Sequence, residues 1–219
     1  MNSNTIDLTR SALIVIDVQN DFCPGGSLAV DKGDEVLAPI NALMSAFPLV
    51  VATQDWHPEG HVSFASSHAG KEPMDTVKAG DIDQILWPDH CVQASEGAGF
   101  HPELDQRYIN LVLHKGTKKD LDSYSAFFEN DHKTATGLEG YLRSLGFDEL
   151  YICGLATDVC VYFSAMDARK LGYTVHLVTD AVRGIDQPKG SLQEKLDEMQ
   201  QAGVLLEHSS RLLSPEAPA

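Results

Sequence analysis

Apolar positions along this chain follow two periods. Short runs rich in β-branched residues alternate with stretches in which apolar positions fall three and four apart. Ser11–Asp17 (SALIVID) is a near-continuous apolar run that ends in a carboxylate, and it predicts a buried parallel strand. Similar runs at Leu49–Thr53, Ile109–His114, Leu150–Cys153 and Tyr173–Val178 predict four more strands, and Val204–Glu207 a weaker last one. Asp34–Phe47 sets Val36, Leu37, Ile40, Leu43 and Met44 on one side of a helix. Leu138–Leu145, stopped at Gly146, and Ser191–Ala202 predict two further helices. Val18–Ser27, with Pro24-Gly25-Gly26, reads as a loop. Glu59–Arg107 reads as one long irregular region, of the kind that is usually functional or mobile. Strands alternating with helices predict an α/β fold, a parallel sheet covered on both faces.

The stretch Leu150–Gly172 organises the rest. Its strand is expected to break at Gly154, and Thr157 or Asp158 to cap a helix carrying Val161, Ala165, Ala168 and Leu171. Cys160 then sits where a helix begins. Unpaired N–H groups and the positive end of the helix dipole favour thiolate there. The alternative is a small buried apolar residue, as most lone cysteines are.

Ligands of parallel α/β sheets bind beyond the carboxyl ends of the strands, near a topological switch point. Four strand ends here carry reactive groups. Asp17 ends the first strand, Asp55 and His57 follow the second, Lys115 ends the third and Cys160 follows the fourth. Taken singly, Asp17 is a loop acid and Lys115 a solvated surface lysine. Taken together with Cys160 they form a nucleophile set. The carboxylate can take the thiol proton, and the lysine can hold the carboxylate and stabilise charge on sulfur.

Asp55-x-His57, with His90 in WPDHC, makes a second constellation. Residues i and i+2 of an extended segment point the same way, and a distant third can close a site. Two imidazoles and one carboxylate suit zinc, iron or manganese. His61 is an additional candidate ligand. His68, His101, His114, His132, His176 and His208 read as surface or packing residues.

Composition narrows the class. The chain has 219 residues, a length that fits one domain spanning 1–219. Its net charge of −16 argues against nucleic acid or an anionic membrane as partner. The four cysteines show no CxxC spacing, so reduced thiols are expected. No apolar run reaches transmembrane length and MNSNTIDLTR has no signal-peptide pattern, so a soluble cytoplasmic protein is expected. GxGxxG, GxxxxGK[ST] and GxSxG are absent, and no nucleotide cofactor is expected.

IDVQNDF (Ile16–Phe22), TQDWHP (Thr53–Pro58), WPDHC (Trp87–Cys91), HKG (His114–Gly116), DSYSAFF (Asp122–Phe128) and GLATDVCV (Gly154–Val161) together resemble the bacterial nicotinamidases. These belong to the isochorismatase-like cysteine hydrolases. The resemblance covers about residues 11–207 and leaves 208–219 as a tail. It implies a doubly wound three-layer α/β/α sandwich with a six-stranded parallel sheet. It implies hydrolysis of nicotinamide to nicotinate and ammonia in NAD salvage, and of pyrazinamide, by a protein alone or in a homo-oligomer. By position it makes Asp17, Lys115 and Cys160 the catalytic triad. It makes Asp55, His57 and His90 the ligands of one divalent metal, zinc first with iron or manganese open, and waters completing the shell. The backbone N–H groups of Ala156 and Cys160 become the oxyanion hole, with a cis peptide at Leu155–Ala156. Phe22, Leu28, Trp87 and Tyr124 become pocket walls. His61 or Ser63 could reach the metal, orient a water, or do neither. Lys71–Leu86 matches no motif and is expected only to shape a lid. Two other readings stand beside this one. One is a sister isochorismatase or a ureido or N-carbamoyl amidohydrolase. The other is a non-catalytic binding protein that keeps the fold.

Overall fold

A computed structural model describes residues 7–213. Its main sheet has six parallel strands. In chain order they are β1 (Ser11–Ile16), β2 (Leu49–Asp55), β5 (Leu111–Lys115), β6 (Glu149–Leu155), β7 (Thr174–Arg183) and β8 (Leu205–Glu207). Their spatial order is β5-β2-β1-β6-β7-β8. From β1 the chain winds outward through β2 to β5, then returns to β6 on the other side and winds out through β7 to β8. The switch point therefore lies between β1 and β6.

Alternation along β1 builds two cores. Leu13 and Val15 face one side, with α1 (Leu37–Met44) and α5 (Ser209–Leu212) packed over them. Ala12, Ile14 and Ile16 face the other, beneath α2 (Leu138–Ser144), α3 (Tyr162–Lys170) and α4 (Ser191–Gln201). The result is the expected three-layer sandwich. Among the described residues no helix is long and apolar enough to cross a membrane.

Several boundaries differ from the apolar pattern, each for a local reason. The first helix is shorter than Asp34–Phe47. Gly33–Val36 is a 3₁₀ turn, with Lys32 before it at φ +55, and Pro39 then sits in the first α-helical turn, where its missing N–H costs nothing. Pro48 biases Phe47 toward extended backbone, so the helix stops before it. β2 runs past Thr53 because Gln54 and Asp55 pair with His114 and Lys115 of β5. β7 runs to Arg183 because Val182 and Arg183 pair with Gly154 and Leu155 across an irregularity.

The region 59–107 is not wholly irregular. Thr76–Ala79 (β3) and Ile82–Ile85 (β4) form an antiparallel hairpin closed at Gly80, which has φ +60. Its strands are four residues each, too short to show a period. The segment 209–212, expected to belong to a tail, is the helical turn α5, opened by the His208 side chain accepting from Ser210 N. The end of the tail, 214–219, lies outside the described residues.

Gly154 does not break β6. It continues the strand at φ +109 and lets it pass close to β1: a Cβ there would lie 2.0 Å from the carbonyl oxygen of Ile16. Gly154→Ala should therefore combine a backbone clash with an unfavourable left-handed φ. The expected loss of stability is about 3 kcal/mol or more, read as a drop in the urea midpoint. An unchanged midpoint would mean that β1 and β6 can separate without penalty.

Candidate active site

Strand register brings the predicted residues together. Asp55 and Lys115 are direct partners on β2 and β5, at the carboxyl ends of both strands. Asp17 leaves β1 at φ +48, a left-handed conformation that Asp tolerates better than most residues. Thr53 fixes it twice, donating through Oγ1 to Asp17 Oδ1 at 2.6 Å and accepting from Asp17 N at 3.2 Å.

The Lys115 side chain is wholly buried, and its ammonium is the meeting point. It lies 2.8 Å from Asp17 Oδ2, 3.1 Å from the Ser123 carbonyl and 3.5 Å from Cys160 Sγ, and it pairs with Asp55 Oδ1. Burial alone would push its proton off. Asp17 and Asp55 outweigh that and hold it well above the ordinary lysine range. Burial raises Asp17 above the usual carboxylate range, against the pull of Lys115 and Thr53. Asp55 is also buried, but Lys115, His57 and His90 prevail and hold it well below that range.

Cys160 differs from expectation in its local structure and its charge. It sits in a π-helical turn, Thr157–Val161, that precedes α3. Neither Thr157 nor Asp158 caps this turn, and Ala156 occupies the cap position with no side-chain bond. The Asp158 carboxylate instead accepts from the backbone N–H groups of Ile185 at 2.9 Å and Asp186 at 2.8 Å. Burial pushes the Cys160 thiol well above its ordinary range, with Lys115 opposing. Desolvation thus works against the thiolate that the helix start favours. The peptide Leu155–Ala156 is cis, as the family resemblance implied.

Asp55, His57 and His90 are all buried, with ligand atoms within 4.8 Å of one another. Nε2 of His57 and of His90 lie 3.6 and 3.8 Å from Asp55 Oδ2. Each ring is anchored by its other nitrogen: His57 Nδ1 donates to Gly116 O at 2.9 Å and His90 Nδ1 to Pro88 O at 2.7 Å. Both Nε2 atoms then face the shared carboxylate, the arrangement in which outer hydrogen bonds orient metal-binding imidazoles. Two nitrogens and one carboxylate oxygen, with room beside them, fit a divalent transition metal.

His61 and Ser63 bond to each other, at 2.7 Å, outside that group. The His61 ring stacks on the outer side of His57 with centroids 4.2 Å apart, and burial lowers its pKa to about 4. His57, His61 and Asp122 lie close enough to form a second cluster. Asp17, Asp55 and Cys160 make a third, but the Lys115 ammonium touches all three.

Cys160 and the three candidate metal ligands open onto one pocket. Phe22, Leu28, Trp87 and Tyr124 line it as expected, with Asp55, His57, His90, Ala156 and Cys160. Asp122, Val159 and Ile185 also line it and were not anticipated. Asp122 lies inside the DSYSAFF motif, so its position was marked although its part was not. Val159 is one residue from Cys160, while Ile185 follows β7 with no local signal.

A family model described as isochorismatase domain matches residues 11–209. A nicotinamidase of Acinetobacter baylyi is 50% identical over 193 residues, which cover 88% of this chain and 90% of the relative. The solved nicotinamidase/pyrazinamidase of Acinetobacter baumanii superposes with a TM-score of 0.91 at 48% identity, covering 94% of this chain and 99% of that one. A pyrazinamidase of Pyrococcus horikoshii in complex with zinc has a TM-score of 0.75 at 36% identity, covering 91% and 99%.

The geometry makes one glycine decisive for the histidine pair. A Cβ on Gly116, at φ +62, would lie 2.4 Å from His57 Cε1 and 2.6 Å from Nδ1. Gly116→Ala should turn His57 out of line while leaving the sheet intact. Titration of metal-free protein with Zn²⁺ should then show affinity reduced about 10- to 100-fold. Unchanged affinity would mean that His57 is not held by this contact.

Proposed function

The chain belongs to the isochorismatase family, and from that membership we propose that it is a nicotinamidase, an amidohydrolase that converts nicotinamide to nicotinate and ammonia and takes pyrazinamide by the same route. The observation that carries this reading is the contact of one buried ammonium with Asp17, Asp55 and Cys160, the last two of which line one pocket with two oriented imidazoles. The names of the relatives supply the substrate class.

In the proposed reaction the Cys160 proton passes to Asp17 as sulfur attacks the amide carbon. Asp17 is the right base for this step because burial raises its proton affinity and because the Lys115 ammonium keeps it ionised while unprotonated. Lys115 also stabilises negative charge as it develops on sulfur. The backbone N–H groups of Ala156 and Cys160 receive the oxyanion; removal of one such donor typically costs about 10²–10³ in rate. Asp17 then returns the proton to the leaving nitrogen, ammonia departs and a thioester remains. Asp17 takes a proton from water as the water oxygen attacks the thioester carbon, then passes it to the departing sulfur, which restores the Cys160 thiol; the nicotinic acid formed ionises to nicotinate.

Asp55, His57 and His90 would hold a divalent metal, which when bound supplies an electron-pair acceptor for the pyridine nitrogen. Recognition of a heteroatom rejects analogues that lack it, because the site's partner is left unsatisfied. Phe22, Leu28, Trp87 and Tyr124 provide the apolar walls on which the ring packs.

The first test is ammonia release from nicotinamide beside benzamide, before and after chelation. Release from nicotinamide alone, lost with the metal and restored by adding it back, is expected. Release from both amides, indifferent to chelator, would move the protein to a sister amidase. Cys160→Ala should abolish turnover, with a loss of at least about 10³ in kcat, while Zn²⁺ binding is retained. Full activity in that variant would sink the thioester route.

A further inference from the structure

The β3–β4 hairpin lies within the segment Lys71–Leu86, which matches no motif, yet one of its side chains points into the molecule. Gln84 is 1% exposed, whereas Lys78 and Asp83 on the same hairpin are exposed and pair with each other at 2.7 Å. The Gln84 amide nitrogen lies 2.8 Å from Ile85 O, 3.0 Å from Asp122 Oδ2 and 3.0 Å from the Tyr124 hydroxyl. The carbonyl and the carboxylate can only accept, so the amide must present its NH₂ to them and its orientation is fixed. Trp87 Nε1, which can only donate, bonds the same Tyr124 hydroxyl at 3.1 Å. The two amide hydrogens are shared among these three acceptors, and the Tyr124 oxygen sits between the Gln84 amide and Trp87 Nε1.

The residues so tied are parts of the cavity. Trp87, Tyr124 and Asp122 line it together with Cys160, and Gln84 does not. Tyr124 packs edge-on against Trp87, with ring centroids 6.4 Å apart, and tilted against Phe163 at 5.3 Å. The ring contacts set the plane of the phenol, and the hydroxyl bonds hold the position of its far end. On the Asp122 side, Ser123 N donates to Oδ1 at 2.8 Å, so Gln84 supplies the donor for the other oxygen. Loss of that amide would leave a buried carboxylate short of a partner next to His57 and His61.

We propose that Gln84 is a positioning residue for the amidase reaction, and that the hairpin is a structural wall of the substrate pocket clamped through Gln84 to Tyr124 and Asp122, not only a lid. This rests on the hydrolase reading of the site. It makes ring binding, rather than the chemical step, depend on the hairpin.

The test is a double-mutant cycle on nicotinamide hydrolysis. Gln84→Met keeps the side-chain volume and removes both donors; Tyr124→Phe removes the hydroxyl. Each is expected to raise KM about tenfold, the worth of a buried hydrogen bond, with kcat changed by less than about twofold. The double variant should be no worse than the more damaging single one, because both remove the same link. Lys78→Ala with Asp83→Ala, which unties only the exposed face of the hairpin, should match wild type. Circular dichroism checks folding; should the Met variant fail to fold, Gln84→Asn, one methylene short of its partners, is scored by the same outcomes. Wild-type KM in the Gln84 variant, or losses that multiply in the double variant, would overturn the proposal. Inactive wild-type protein would instead overturn the hydrolase reading, so the two failures are distinguishable.

Discussion

One ammonium, buried at the end of an edge strand, holds this site together. An isolated charge in that position would cost several kcal/mol. Lys115 is stable there because Asp17, Asp55 and the Ser123 carbonyl surround it. The dependence runs both ways, since two carboxylates within 4.8 Å of each other and of a thiol need a cation between them. Asp55 carries the arrangement further. Its Oδ1 faces Lys115 and its Oδ2 faces His57 and His90. A single carboxylate thereby joins the nucleophile group to the candidate metal group, and a shift in either is felt by the other.

The sheet supplies this contact by topology. β5, β2, β1 and β6 lie side by side, so polar residues from four distant parts of the sequence reach one edge. The register that pairs Asp55 with Lys115 extends both strands past their apolar runs. Close approach of β1 to β6 depends on the missing side chain at Gly154. The same economy recurs at Gly116, where the turn after Lys115 leaves space for the His57 ring. Chemistry and fold therefore share positions, and the two glycines belong to the site although neither bears a reactive group.

Much of this was legible before any coordinates. Asp17, Asp55, Lys115 and Cys160 were each open to a bland reading, and their joint placement at strand ends favoured the functional one, because parallel sheets put ligands at those ends. The illegible parts share a cause: they depend on contacts between segments that carry no periodic signal. The hairpin strands are too short to alternate visibly, and the burial of Gln84 is set by Asp122 and Tyr124, about forty residues away. Asp158 looked like a helix cap from its neighbours in sequence. In the structure it serves the loop at Ile185 and Asp186, which the chain brings back from beyond β7. His61 lay near the DWH motif and still fell outside the Asp55–His57–His90 group, since its ring turns to stack on His57 and bonds Ser63.

The two inner cysteines show what makes a thiol useful here. Cys153 and Cys160 are both buried, and burial pushes both thiols up. Position at a helix start, the sequence-level argument for a reactive Cys160, does not overcome that desolvation. What separates them is the company. Cys153 Sγ lies within β6, in an apolar core, 3.7 Å from the Ile14 carbonyl. Cys160 meets an ammonium that stabilises sulfur charge and a carboxylate whose own proton affinity burial has raised. Desolvation moves acid and base in the same direction, so the proton can rest on sulfur without becoming too expensive to transfer to Asp17. In the proposed reaction the one fixed charge of Lys115 would serve both sides of that exchange.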